Sequence, residues 1–532
     1  MSFFVEEYRS GEVRAQHPSI IEPASILFGA LQGLLGAIVG LELLTRVGIT
    51  PNTSVIGAII AIGVSRLPLA GFKKFRSMDR QNLMQTAISA ATFGGANALL
   101  LPVGILWLMG NPELVPAMFL GAFLGMLIDA AVLYKVFDSR AYPACAPWPP
   151  GVATAECLLA GDRGGKRAFL LGAGAAAGGA GRLLGIPMDI IGVCWIGNVW
   201  ALAMFALGLL IAGHSAPLFG FDVNRAYLPH GVMIGAGLVA VIQMAGIVRR
   251  KESQGDGLGN CTRTNAEFGK SLGVGLLAFM LAAAALAAAA GLYTAMPPGT
   301  LALFVVFSAV AALVSELIVG ISAMHAGWFP AFATALIFLV LGMLMGFPPL
   351  ALAFMVGFTA STGPAFADMG YDLKTGWIVR GNGQSREYEM AGRRQQFLAA
   401  LLGFLIAAAV VFFTYERYFR QELLPPVDFV FVATIRAGAS AHVARQLLLW
   451  AVPGALVQLI GGPTRQIGIL LATGLLISNP LAGWTALAAL GLRGALGKRF
   501  GKAAESPRYV LAGGFIAGSA LASFGAASMK LR

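Results

Sequence analysis

Charge is what this sequence has least of. Asp, Glu, Lys and Arg together make up only 12% of its 532 residues, about half the roughly 25% of an ordinary soluble domain. A water-facing surface of normal extent is therefore excluded. Cysteine is scarce too: Cys145, Cys157, Cys194 and Cys261 contain no CxxC pair. That removes a disulfide framework and a structural zinc knuckle and leaves free thiols as the expectation. No stretch reads as a Walker loop, an HExxH helix or a nucleophile elbow, so the common signatures of nucleotide hydrolysis, zinc proteolysis and serine hydrolysis are missing. The opening MSFFVEEYRSGEVRAQHPSIIEP has early acids and no apolar core before a small-residue cleavage site; no removed signal peptide is expected.

What is present is apolar. Hydrophobic residues make up 57% of the chain and the mean hydropathy is +0.77. Uncharged runs recur along the whole length, each near the ~20 residues that a helix needs to cross a hydrocarbon core. They lack the period of two that a transmembrane strand requires. The pattern predicts an all-α, polytopic helical membrane protein with about 14–16 transmembrane helices. Spans are expected at 24–47, 54–70, 83–109, 114–137, 168–186, 190–212, 228–248, 269–292, 299–320, 328–346, 349–367, 395–415, 442–460, 465–479, 481–497 and 508–527. Three segments are too polar or too short for a plain span: the N-terminal stretch, Pro147–Asp162 and Gly320–Pro330. Broken or half-helices at membrane depth are tolerated only inside protein or along a cavity, so a solute pathway is sought there. The expected organisation is an N-terminal cytoplasmic segment (1–23), a first transmembrane half (24–248), a polar loop (249–268), a second half (269–497), and a C-terminal loop with a last helix (498–532).

The formal charge of +12 raises the question of nucleic acid, and the placement of the cations answers it. They gather as Lys73, Lys74, Arg76 and Arg80; Arg163, Lys166 and Arg167; Arg249, Arg250 and Lys251; Arg393 and Arg394; and Lys498, Arg499 and Lys502. Clusters between apolar runs follow the positive-inside rule and do not form a phosphate groove. The expected partner is the lipid bilayer of a cell membrane, with the N-terminus and the loop at 71–81 inside, and no nucleic acid.

An internal repeat is also expected. Gly151-x-Ala153-x-Ala155-Glu156 and Gly363-x-Ala365-x-Ala367-Asp368 share the pattern GxAxA-acid 212 residues apart, and PAMFLGAFLGML (116–127) echoes PAFATALIFLVLGML (330–344). Carriers built from repeats bind solute where broken helices of the two halves meet.

Ionisable groups inside apolar sequence need a reason, because a charge at mid-membrane costs about 2.5–3.5 kcal/mol even on the mildest insertion scale. Asp368, Asp372 and Lys374 follow an apolar run, and Glu156 occupies the matching repeat position. These acids could bind a substrate ammonium or a coupled proton; the plainer alternative is a salt bridge pinning a helix end, with Asp372 and Lys374 pairing in a loop. Asn82, Gln85 and Ser89 put a polar face on the third span, as a site or as interhelical glue. Glu316 and His325 are a further candidate pair beside a Gly-flanked break, although a lone His is more often a packed one. Tyr371 is a ligand-stacking residue or an interfacial aromatic. His230 is a further candidate, and Glu42 and Asp129 read as helix-end or structural groups. No metal site is expected.

Two other classes compete with a carrier. Asp368-x-x-x-Asp372 has the spacing with which membrane prenyltransferases hold magnesium diphosphate, but the second acidic motif that such enzymes need is absent. A passive channel does not require titratable acids in both halves.

Five stretches give the sequence a likeness. QNLMQTAISAA (81–91), PPGVATAECLLAGDRGGK (149–166), YLPHGVMIGAGLVA (227–240), MHAGWFPAF (324–332) and FTASTGPAFADMGYDLKTG (358–376) resemble, in order, signatures of the oligopeptide transporter family, which includes the yellow stripe-like carriers of metal chelates and a large prokaryotic group. The resemblance covers nearly the whole chain. It implies proton-coupled secondary transport of small peptides or of metal chelates by alternating access, with H+ as coupling ion, no cofactor, an often dimeric assembly, and, for a prokaryotic member, the bacterial inner membrane. The cargo itself does not carry over, because the chain is shorter than many eukaryotic members and lacks their N-terminal extensions.

Overall fold

A computed structural model describes residues 16–47, 53–65, 74–223, 225–249, 261–327, 331–438, 441–477 and 479–529. Among them the structure is helices and connecting turns, with no strand. The first half runs α1 (Pro23–Val47), α2 (Thr53–Ser65), α3 (Met78–Phe93), a π-helical stretch (Gly94–Leu100) leading into α4 (Leu101–Met109), then α5 (Val115–Val136), α6 (Pro149–Arg163), α7 (Gly165–Leu183), α8 (Met188–Ile196), α9 (Val199–Phe219) and α10 (Leu228–Arg249). The second half runs α11 (Asn265–Ala289), α12 (Leu292–Ala295), α13 (Pro298–Ala326), α14 (Ala331–Leu344), α15 (Pro349–Ser361), α16 (Pro364–Val379), α17 (Arg386–Arg420), α18 (Pro426–Ala437), α19 (Ala441–Arg465), α20 (Ile467–Ile477), α21 (Pro480–Phe500) and α22 (Glu505–Met529).

Eight helical segments among the described residues are long and apolar enough to cross a membrane, including 78–109 and 349–379 taken as units, and three shorter apolar helices accompany them. The all-α polytopic class follows from this. Several helices turn large apolar side chains outward, as with Phe413 (82% exposed) on α17 and Ile460 (78%) on α19, which in lipid is the favourable direction. The 349–379 unit is instead almost wholly buried. It is the centre of the bundle, with α3, α5, α6 and α13 packed around α16.

Several expected spans are divided. The one at 349–367 breaks at Thr362–Gly363, where Gly363 takes φ +96° and Pro364 cannot continue the preceding helix. The DLKTG stretch, expected as a loop, is the interior of α16. The span at 190–212 breaks at Gly197–Asn198: the Asn198 side chain accepts from the N–H groups of Trp200 and Ala201, an N-cap that starts a new helix. Pro147–Asp162 contains the short helix α6, whose 15 residues span about 22 Å at 1.5 Å each, short of a ~30 Å core. Gly320–Ala326 continues α13, and the break falls at Gly327, φ +70°. α18 was not anticipated at all.

The cation clusters are also corrected in part. Arg393 and Arg394 are helical, and Arg393 is fully buried, so it is not a loop cation; its partners appear below. Arg167 belongs to α7, and Lys498 and Arg499 to the last turn of α21. Lys74 and Arg80 reach Glu22, with Arg80 donating from both terminal nitrogens at 2.8 Å; this hydrogen bond to Arg80 holds the Glu22 carboxyl below its ordinary range. Residues 1–15 of the N-terminal segment, Lys73, Arg250 and Lys251, the end of the second expected span (66–70), most of the polar loop (250–260) and residues 328–330 lie outside the described residues.

Candidate functional site

The site is built on the start of α16. A helix N-terminus leaves backbone N–H groups without intrahelical partners, and here a carboxylate from another helix fills them. Asp129 of α5 accepts through Oδ2 from Gly363 N at 2.9 Å and from Phe366 N at 2.7 Å. Negative charge is favoured at that end of a helix, so α16 is seated at a fixed position in the middle of the bundle.

One turn further on, Asp368 and Asp372 stand at i and i+4 and share a face. Two other helices are brought to it. Ser89 of α3 donates to Asp368 Oδ1 at 2.7 Å, and Gln85 of α3 donates to Asp372 Oδ1 at 2.5 Å. Ser54 of α2 lies 3.0 Å from Asp372 Oδ1, 3.5 Å from Asp368 Oδ1 and 2.8 Å from the Ser89 hydroxyl. The two carboxylates thus converge on one hydroxyl. Among the described residues no Lys or Arg hydrogen-bonds either of them, and Asp372 Oδ2 has no hydrogen-bond partner. All five side chains are buried.

The cluster continues as a polar chain to the edge of the bundle. Asn82 donates to Gln85 Oε1 at 3.1 Å. Gln396 of α17 donates to the Asp372 carbonyl at 2.7 Å and to Thr86 at 3.2 Å, and accepts from Arg380 at 2.8 Å. Arg380 forms a two-pronged pair with Glu389 at 2.8 and 3.0 Å. Glu389 also accepts from Arg393 at 2.7 Å, and Arg393 reaches Asp138 at 2.9 Å and Thr262 at 2.7 Å. Two arginines thus meet two acids in a charge-neutral, fully hydrogen-bonded chain, the condition under which buried ions are tolerated.

Of the residues singled out in the sequence, Asn82, Gln85, Ser89, Asp368 and Asp372 come together. Tyr371 lies on the same helix, edge-on to Trp148 at 6.3 Å between ring centres, with its hydroxyl unpartnered among the described residues. Lys374 does not pair with Asp372, because two residues along a helix point in opposing directions. Its ammonium donates to the Ala144 carbonyl at 2.8 Å and lies 4.4 Å from the Trp377 ring centre.

Glu156 is held by Arg167, which donates to both of its oxygens at 2.7 and 2.8 Å, whereas the hydrogen bonds of Asp368 go to serines. The GxAxA-acid motifs match in spacing but not in helix register: Gly363 is the N-cap of α16, while Gly151 is the third residue inside α6. The two helices still pack closely, with Thr375 donating to the Gly151 carbonyl at 3.0 Å. Glu316 and His325 do not meet either. Nine residues on one helix are two and a half turns, so they face opposite ways; Glu316 turns to Asp129, and the carbonyl of His325 accepts from Asn198 N at 3.0 Å. Asp129 meets the N-terminus of α16, and Glu42 accepts from the Tyr418 hydroxyl at 2.8 Å.

Sequence reading missed Ser54, Gln396, Arg380, Glu389, Arg393 and Asp138. The usable signal was Glu389, Arg393 and Gln396 at i, i+4 and i+7, a polar stripe entering an apolar helix. Among the described residues no group of three or more His, Cys, Asp or Glu side chains is placed to hold a metal ion.

No curated relative matches the chain. A family model described as OPT oligopeptide transporter protein matches residues 22–251 and 243–530, nearly the whole length. The magnesium-diphosphate reading of Asp368 and Asp372 gives way to this match, and with a multi-pass helical bundle closed around a buried polar centre, the chain belongs to the oligopeptide transporter family, whose members are membrane transporters and not enzymes.

Proposed function

We propose that this transporter is a proton-coupled secondary carrier of small peptides or peptide-like metal chelates, working by alternating access around α16. The observation that carries the reading is the pair Asp368 and Asp372, buried on a half-helix, converging on the Ser54 hydroxyl and met by no cation among the described residues. Two carboxylates so placed hold a proton or an ammonium group more readily than two negative charges. Ser54, Ser89 and Gln85 orient the oxygens, so the charge taken up is met by a preformed site. Lys374, whose ammonium among the described residues is met by a carbonyl and a ring face, is the cation that a substrate carboxylate would meet. The unpartnered Tyr371 hydroxyl supplies a neutral donor or acceptor on the same helix.

The test is reconstitution in proteoliposomes with a labelled tripeptide in one set and an iron(III) chelate of an amino-acid-derived ligand in the other. A carrier accumulates one of them against its gradient when a pH gradient is imposed. Asp368→Asn and Asp372→Asn should lose accumulation while exchange of cargo persists, because the amide mimics the protonated acid. Equilibration that never exceeds the outside concentration under a pH gradient would point to a channel instead.

A further inference from the structure

A second buried acid pair, Asp129 and Glu316, lies at the N-terminus of α16. Glu316 of α13 is fully buried, and its carboxyl faces that of Asp129 within hydrogen-bonding reach. Neither Glu316 oxygen receives a donor from the described residues, and neither does Asp129 Oδ1, while Asp129 Oδ2 is committed to the N–H groups of Gly363 and Phe366. Two acceptors in contact with no donor between them lack one hydrogen. The other titratable group bearing on the pair is Tyr142, from the α5–α6 connection, whose hydroxyl is spent on the Leu317 carbonyl at 2.8 Å. No described Lys, Arg or His of α5, α13, α15 or α16 hydrogen-bonds either acid.

We propose that Asp129 and Glu316 share one proton and that the pair is a proton-operated latch on the N-terminus of α16, a binding site for H+ separate from Asp368 and Asp372. With the proton in place, one carboxyl O–H donates to the other carboxylate, and the pair carries a single negative charge, which the N-terminus of α16 stabilises. Release of the proton leaves two carboxylates in contact in an apolar surround. Glu316 is then driven from Asp129, and the hold on Gly363 and Phe366 slackens. Because α16 carries Asp368, Asp372 and Lys374, the latch sets how firmly that helix is seated whether or not transport proves to be proton-coupled.

The experiment is infrared difference spectroscopy of the full chain in nanodiscs, in H2O against D2O at neutral pH, following the carbonyl stretch of protonated carboxylic acids. Glu316→Gln and Asp129→Asn each supply an amide N–H in place of the shared proton, so both should fold, and both should lose the same single band. Asp368→Asn combined with Asp372→Asn should leave that band in place. Hydrogen exchange of the peptide containing residues 363–366 gives a second measurement: relative to the intrinsic rate, it should speed up with rising pH in the native protein and stay level in Glu316→Gln. A band that survives in either variant, or two bands of which each variant removes a different one, would overturn the shared proton. Exchange that is equally pH-dependent in Glu316→Gln would overturn the latch.

Discussion

Gln85 donates to Asp372 Oδ1 at 2.5 Å, joining α3 to the half-helix α16 across 287 residues of chain. That one contact ties a polar face legible in the first hundred residues to the acids in the middle of the sequence. It also fixes which Asp372 oxygen is occupied, while Oδ2 has no hydrogen-bond partner among the described residues.

Replacing Gln85 with Met keeps the volume and removes the donor. Among the described residues the Asp372 carboxylate then keeps Ser54 as its hydrogen-bond donor, and the loss is expected to cost about 1–3 kcal/mol, the range for leaving a buried polar group underpartnered. The thermal midpoint of the detergent-solubilised protein should fall accordingly, and an unchanged midpoint would mean that the contact contributes nothing.

The Arg380, Glu389, Arg393 and Asp138 chain predicts a larger effect. Arg393→Met leaves Glu389 and Asp138 with one guanidinium fewer, in a place where removing one partner of a buried pair costs about 3–5 kcal/mol. Arg394→Met, one residue on, removes a neighbouring charge as a control and should be nearly neutral. Similar denaturation midpoints for the two variants would contradict the buried network.

Glu156 was legible as an acid inside apolar sequence, but its partner was not. Arg167 lies eleven residues later, beyond Gly164 and Gly165, both at positive φ, and only that turn folds α7 back onto α6. Charge-cluster reasoning assigned Arg167 to the membrane surface and Arg393 to a loop for the same reason: sequence shows where charges occur, not which helix face they occupy. Class, family likeness and the polar face of α3 were readable because each is local or periodic. The breaks at Gly197–Asn198 and Thr362–Gly363 were hidden inside continuous apolar runs, and the contribution of Ser54 depends on how α2, α3 and α16 are arranged in space.

A double-mutant cycle checks the Glu156 assignment. Glu156→Gln and Arg167→Gln should each destabilise by about 1–3 kcal/mol, and the double variant by clearly less than their sum. Strict additivity would show that the two residues do not act as a pair.

Gly151 marks the close approach of α6 and α16. A Cβ there would lie 2.5 Å from the Tyr371 carbonyl and 2.8 Å from Lys374 Cβ, so backbone must shift. Gly151→Val is expected to cost about 1–3 kcal/mol through overpacking and to abolish transport, whereas Gly172→Ala, with nothing within 4 Å, should be silent. Full transport by Gly151→Val would show that the seating of α16 against α6 is not needed.

The central claim is that Asp368 and Asp372 take up the proton that moves with cargo, and proton flux measures this most directly. Proteoliposomes loaded with a trapped pH indicator, given an outward cargo gradient and no pH gradient, should show a pH change inside that is proportional to cargo released. The account predicts that this signal is present in the native protein and absent in Asp372→Asn while cargo release itself continues; an undiminished proton signal in both Asp372→Asn and Asp368→Asn would contradict it.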